Sequence, residues 1–199
     1  MNRRDLLRAA GATAAISLVP RAAEAAWARI ASGYRGTAGL TPAQRALVAG
    51  VADVILPRTD TPSATDVGVT EWVDLIVAEY DTDDVRVPFL AGLDALDAQV
   101  RAERGRAFGD LDANAQREIV GGLDDAMTLG NRGGRGQAAG STLTPELQVR
   151  AARAAYRRLK GLVIHGYFTS QRVEREVLRV RTSFPTFQGA AEHRPGAAR

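Results

Sequence analysis

The chain of 199 residues contains no cysteine, and this absence excludes several classes of protein. Disulfide frameworks, thiolate zinc sites and covalent attachment of haem through a C-x-x-C-H motif all require that residue. Histidine is almost as rare, since only His165 and His193 occur, so a metal site with several histidines is also excluded. The fold must therefore be held together by its apolar core or by a partner protein.

The sequence also lacks the alternating pattern of half-buried strands and any glycine-rich turn between a strand and a helix. This excludes a dinucleotide-binding fold. The net charge is only +3, and no basic stripe is interleaved with aromatic residues, so we expect no nucleic-acid partner. The apolar stretch near the N-terminus is too short and too rich in alanine and glycine to span a bilayer stably.

The N-terminus has the order of parts that is typical of a secretory signal. Arg3 and Arg4 stand ahead of Leu6 and Leu7, and a weakly apolar stretch follows over residues 9–19. Paired arginines before two apolar residues resemble the twin-arginine motif, which directs folded proteins across the bacterial inner membrane. We therefore expect export through the twin-arginine translocase to the periplasm, with the mature protein there or at the inner membrane.

Small residues after the apolar stretch predict the cleavage site. Ala23, Glu24 and Ala25 read A-x-A, which places the cut before Ala26. An uncut signal that acts as a membrane anchor is the alternative; otherwise we expect membrane association only through a complex. Residues 1–25 are thus the predicted signal peptide, and the glycines that follow indicate a flexible leader over residues 26–40.

Apolar residues recur at helical spacing through the rest of the chain, which predicts an all-α domain over residues 41–189. We expect an irregular bundle of five or six helices, with a flexible glycine-rich insert at 130–143 and a disordered tail at 190–199. We expect the first helix to begin at a capping box of Thr41 and Gln44 and to end at Pro57. A second helix is expected from Thr70 to Tyr80, a third around Phe89–Val100, and a fourth that begins at Asp112. A long helix should follow from Thr144 to Gly166, and then a last short helix capped by Ser170.

Few residues suggest chemistry. Four aspartates could in principle form a carboxylate pair with separated pKa values, although turn-forming neighbours favour local hydrogen bonds for those in the loop. His165 is the one histidine inside a predicted element, where it either contacts a partner or ligand or is satisfied locally. The aspartates in question are Asp53, Asp60, Asp66 and Asp74.

Two segments together resemble the gluconate 2-dehydrogenase subunit 3 family. The first covers residues 51–62, VADVILPRTDTP, and continues over 64–69 as ATDVGV. The second covers 159–163, LKGLV, and continues over 166–170 as GYFTS. The order and spacing of the segments carry the resemblance, which extends over about residues 41–189, and a twin-arginine leader is typical of this family as well.

The resemblance implies a non-catalytic small subunit. Members of this family partner a large FAD-bearing subunit of the glucose-methanol-choline type, often together with a subunit that carries haem c, and this chain itself would hold no cofactor. The large subunit commonly lacks a signal, so the small one lends its own and stabilises the flavoprotein. From the two segments we predict a partner-facing set of Pro57, Asp60, Pro62, His165, Tyr167, Phe168, Thr169 and Ser170.

The sequence is also compatible with two other classes of function. A stand-alone periplasmic enzyme would work through Asp60, Asp66 or His165 and would need a closed pocket. A helical ligand-binding or scaffolding module would need neither a catalytic group nor a flavoprotein partner.

Overall fold

The computed structural model describes residues 20–34, 39–130 and 145–178, and in these ranges the chain is helical without any β-strand. The predicted all-α fold is confirmed. None of the described helices is both long and apolar enough to cross a membrane. The helices are α1 (Pro20–Ala31), α2 (Pro42–Ile55), α3 (Val69–Leu75, extended by a π-helical turn, Ile76–Tyr80), α4 (Asp83–Arg104), α5 (Ala113–Gly130), α6 (Pro145–Thr169) and α7 (Gln171–Val173, extended by a π-helical turn, Glu174–Leu178).

Helix α2 begins as its sequence predicts. The Thr41 hydroxyl accepts a hydrogen bond from the backbone N–H of Gln44, and the Gln44 side chain accepts one from the backbone N–H of Thr41. This reciprocal pair satisfies two backbone donors that the first turn of a helix otherwise leaves without a partner. The helix ends at Ile55, directly before the loop that starts at Pro57.

The core forms where α4 and α6 pack along one another and α3 crosses α6. Gly92 of α4 lets the two long helices come close, because a Cβ at this position would lie 2.6 Å from the carbonyl oxygen of Ala151. Trp72 of α3 is completely buried, as is Leu159 of α6. A large aromatic ring thus fills the space between α3 and α6.

The expectation of a flexible leader over residues 26–40 is wrong for its first part. Residues 26–31 belong to α1, and Ala26 is completely buried. The glycines at 33, 36 and 39 indicate a flexible segment, but they follow the helix, and α1 itself is alanine-rich and presents only a few apolar side chains to the core. Helix α1 brings the number of α-helices among the described residues to seven, against the five or six that we predicted.

The expectation that Gly166 ends the long helix is also wrong. Helix α6 continues to Thr169, and Gly166 lies inside it against Trp72. A Cβ on Gly166 would lie only 2.8 Å from Cε3 of the indole, so glycine is required here by close packing rather than by a helix stop. Tyr167 and Phe168 therefore belong to the last turn of α6 and do not follow it.

Several predictions concern residues outside the described ranges. The twin-arginine motif with Arg3, Arg4, Leu6 and Leu7 lies there, as do the tail at 190–199 and all of the predicted insert except Gly130.

Candidate functional site

The two segments that carry the family resemblance meet in space. The Tyr167 hydroxyl of α6 donates a hydrogen bond to the carbonyl oxygen of Pro62, at 2.8 Å. A second bond follows after the helix, where Arg172 donates to the carbonyl oxygen of Asp66 at 3.1 Å. The loop over residues 57–68 and the end of α6 therefore form one continuous region, although about a hundred residues of chain separate them.

Hydrogen bonds inside the loop fix its conformation. Asp53 accepts from both the backbone N–H and the hydroxyl of Thr65, at 2.9 and 2.7 Å. Asp66 accepts from the backbone N–H of Ser63 at 2.8 Å and forms an ion pair with Arg58. The Ser63 N–H bond, supported by the Ser63 hydroxyl and Arg58, lowers the pKa of Asp66. Both carboxylates thus hold the loop in shape.

The other two of the four aspartates considered for a carboxylate pair, Asp74 and Asp60, also have separate partners. Asp74 is completely buried and accepts from the Tyr34 hydroxyl at 2.6 Å and from the backbone N–H of Leu40 at 2.7 Å, and it pairs with Arg45 at 3.0 Å. Asp60 is exposed and accepts a bond from its neighbour in the loop. Burial and the bond to Asp74 raise the pKa of Tyr34. Each aspartate has partners of its own, which supports a structural role for Asp53, Asp66 and Asp74.

The predicted partner-facing residues divide into an internal and an external group. Tyr167 and Ser170 are buried, with exposed fractions of 4 % and 2 %, and Ser170 caps α7 by accepting a bond from the backbone N–H of Val173. These two residues hold the region together from within. Phe168 is 45 % exposed, Pro57 and Asp60 are exposed, and the half-buried members are Pro62, His165 and Thr169.

Ile164 is a surface residue that we did not single out from the sequence. Ile164 is 39 % exposed and lies one helical turn before Phe168, so the two apolar side chains share a face of α6. The Phe168 ring also packs edge-on against Tyr167, with centroids 5.3 Å apart. The i, i+4 spacing was visible in the sequence, but it reads equally well as part of a buried stripe. We call Ile164 and Phe168 the α6 apolar pair.

His165 belongs to a row of three rings. The Trp27 and Trp72 rings stack with centroids 6.3 Å apart, and the imidazole lies 5.5 Å from Trp72 on the same row. Nε2 of His165 is buried and has no hydrogen-bond partner among the described residues. Burial lowers the pKa of His165, so the ring is neutral near pH 7. Trp27, which we did not single out from the sequence, also donates a bond to Thr169 at 3.2 Å.

Asp81, which lies between α3 and α4, serves the fold. Arg158 of α6 donates to both carboxylate oxygens of Asp81, at 2.5 and 2.6 Å, and its guanidinium lies 5.3 Å from the centroid of the Phe89 ring. Burial raises the pKa of Asp81, although Arg158 opposes that effect. Across the described residues, no group of three potential ligands is arranged to hold a metal ion.

Comparison with known proteins supports the resemblance seen in the sequence. Searches of the curated proteins and of the solved structures gave no match. A family model described as gluconate 2-dehydrogenase subunit 3 matches residues 42–181. This range begins at the first residue of α2, includes both resemblance segments and contains the whole region where they meet. The chain therefore belongs to the gluconate 2-dehydrogenase subunit 3 family.

Proposed function

We propose that this chain is the non-catalytic small subunit of a periplasmic, FAD-dependent sugar, glucoside or gluconate dehydrogenase of the glucose-methanol-choline type. In this role it escorts a flavoprotein subunit without a signal of its own through the twin-arginine translocase and stabilises it afterwards. FAD belongs to the large subunit, and haem c, where a cytochrome takes part, belongs to a third subunit.

The observation that carries the proposal is the combination of family and leader. The match to a dehydrogenase subunit family covers the folded domain from α2 onward, and the sequence places Arg3 and Arg4 ahead of that domain. A signal on a subunit that accompanies a cofactor-binding partner suits a route that transports folded proteins, because a flavoprotein binds FAD only once it has folded.

The surface of the folded domain supports a partner at the end of α6. Ile164 and Phe168 are large apolar side chains that remain 39 % and 45 % exposed, and Phe168 rests on the region that the two family segments build together. Exposed aromatic and aliphatic side chains of this kind often anchor protein–protein interfaces. The loop that Tyr167 contacts is held by the bonds of Asp53 and Asp66, so this region has its shape before a partner arrives.

The test is to change Arg3 and Arg4 together to Lys in a strain that also produces the epitope-tagged flavoprotein. We expect the flavoprotein and its bound FAD to remain in the cytoplasm, measured by immunodetection and flavin fluorescence of the two fractions. The matched control is Arg8→Lys, since the motif often has Lys at this position, and it should leave export unchanged.

Two results would contradict the proposal. Normal amounts of flavoprotein in the periplasm of the double variant would exclude the escort role. Failure of the two proteins to co-purify would exclude a shared complex and would favour a stand-alone enzyme or a scaffolding module.

A further inference from the structure

The predicted cleavage site of the export signal, the Ala25–Ala26 bond, lies inside a helix. Ala23, Ala25 and Ala26 all belong to α1, which begins at Pro20 and continues to Ala31. Glu24 and Ala25 are exposed, but Ala23 is 9 % exposed and Ala26 is completely buried, so the residue after the Ala25–Ala26 bond and the third residue before it face the core. Access to this bond therefore requires α1 to leave its place.

Contacts beyond the cleavage site hold α1 on the domain. The Trp27 ring stacks on Trp72 of α3, and its Nε1 donates to the hydroxyl of Thr169 at the end of α6. Arg29 forms an ion pair with Glu79 in the π-helical turn after α3. Helix α1 thus contacts both α3 and α6.

A protease cuts most readily where the chain is exposed and can adopt an extended conformation. A site inside a docked helix is cut only from the opened state, so the rate of cleavage falls with the population of that state. The twin-arginine route carries folded proteins, and the domain would therefore reach the signal peptidase with α1 already in place. This step rests on the proposed export role.

We propose that docking of α1 protects the Ala25–Ala26 bond, so that the exported chain keeps its N-terminal segment. The retained segment includes the weakly apolar stretch at residues 9–19, which corresponds to the uncut signal that the sequence gives as the alternative to cleavage.

The first test measures processing in cells. Intact-mass spectrometry of the full-length exported chain should find the wild-type protein uncut at Ala25. Trp27→Ala removes the ring stack and the bond to Thr169, and we expect at least a tenfold increase in the fraction of chains that begin at Ala26. Trp27→Phe keeps an aromatic ring and should stay mostly uncut, whereas Ala25→Leu combined with Trp27→Ala should abolish the new product.

The second test needs no export and decides the proposal if Trp27→Ala fails to fold. Elastase accepts small residues such as alanine at the cut site. The purified full chain should be cut at Ala25–Ala26 at least a hundredfold more slowly than a synthetic peptide of residues 20–34. Equal rates would overturn the proposal, as would wild-type periplasmic protein that begins quantitatively at Ala26.

The outcomes separate this proposal from the proposed function. If changing Arg3 and Arg4 leaves flavoprotein export intact, the escort role fails, but elastase resistance still supports protection of the site. If elastase cuts the folded chain freely while export depends on the arginine pair, the protection fails and the escort role stands.

Discussion

Single polar groups make the long-range connections of this protein. One hydroxyl, that of Tyr167, links α6 to the loop at Pro62, and one carboxylate, that of Asp74, receives the Tyr34 hydroxyl and the Leu40 N–H. Because such groups are buried, removal of either partner leaves a polar atom without its bond, which costs more than the net contribution of the bond itself. At this scale the protein depends on a few side chains that cannot be exchanged freely.

His165 provides a prediction about pH. Burial lowers its pKa below the usual value of about 6.5, so the unfolded chain binds a proton more readily than the folded one. The free energy of unfolding should therefore be highest above pH 6.5 and fall as the pH drops below it, by at most about 1.4 kcal/mol per pH unit. Urea unfolding at pH 7.5 and 5.5 measures the effect.

The matched variants for this prediction are His165→Gln and His193→Gln. With His165→Gln, the free energy of unfolding should no longer change between the pKa of His165 in the folded chain and its pKa in the unfolded chain. With His193→Gln, that change should remain. A wild-type stability that does not change between pH 7.5 and 5.5 would show that the imidazole is not protected from protonation by burial.

Sequence patterns point to residues that lie together in the candidate site, but they do not show which of these residues are buried and which are exposed. The two family segments drew attention to Tyr167, Phe168 and Ser170, and all three lie in the region where the segments meet. Whether a particular aromatic side chain faces inward depends on what packs against it, and Trp27 and Pro62 come from distant parts of the chain. Burial of Tyr167 beside exposure of Phe168 could not be read from adjacent positions of one helix.

Helices α3 and α6 show how one small residue permits a close crossing. Gly166 faces the indole of Trp72, and the row of rings that begins at Trp27 depends on that approach. Interiors of proteins are packed so densely that an added methyl group displaces its neighbours. The position of α3, and through it the position of α1, is therefore sensitive to a single carbon atom.

Gly166→Ala tests this packing. The added Cβ would meet the indole at 2.8 Å, and we expect a loss of about 1–3 kcal/mol in the free energy of unfolding because neither helix can move away freely. Gly121→Ala is the matched control, since Gly121 is exposed on α5 with no atom within 4 Å of the new Cβ. It should stabilise the protein by about 0.5–1 kcal/mol. Equal urea midpoints for the two variants would refute the packing argument.

Elements with strong local signals were predictable, and an element without them was not. Thr41 and Gln44 marked the start of α2 because a capping box depends on neighbouring residues alone. Helix α1 carries only Trp27 and Ile30 as large apolar residues, and it resembles the end of a signal peptide. Its helical state depends on α3 and α6, which lie far along the chain, and local spacing contains no information about them.

At the scale of the whole molecule, the proposed contact with the flavoprotein lies at the end of α6. The α6 apolar pair lies on a domain whose family is defined by a dehydrogenase subunit. The three exposed arginines at Arg150, Arg153 and Arg157 precede it on the same helix. A partner surface with apolar pockets and an acidic margin would complement this face.

Alanine substitution tests the surface. Changing both Ile164 and Phe168 to Ala should weaken binding to the flavoprotein at least tenfold, since central apolar anchors typically contribute more than about 1 kcal/mol each. Both side chains are more than half buried, so the substitutions also remove some packing, and urea unfolding should first show that the isolated variant is folded. Titration calorimetry measures the affinity. Val87→Ala on α4, which removes a side chain that is 60 % exposed, is the control.

An unchanged affinity in the double variant, or an equal loss in Val87→Ala, would place the interface elsewhere on the domain.

The bond from Trp27 to Thr169 also affects the order of events during synthesis. Its two residues are 142 positions apart, so α1 can contact α3 early but cannot complete its docking against α6 until the ribosome has made nearly the whole chain. At about 5–20 residues per second, that interval lasts roughly 7–28 s. If residues 1–25 are the export signal that we propose, a factor that recognises such signals could bind them and the nascent α1 during this time. The period ends when α6 has been made. A longer domain between α1 and the end of α6 would therefore give such a factor more time to bind.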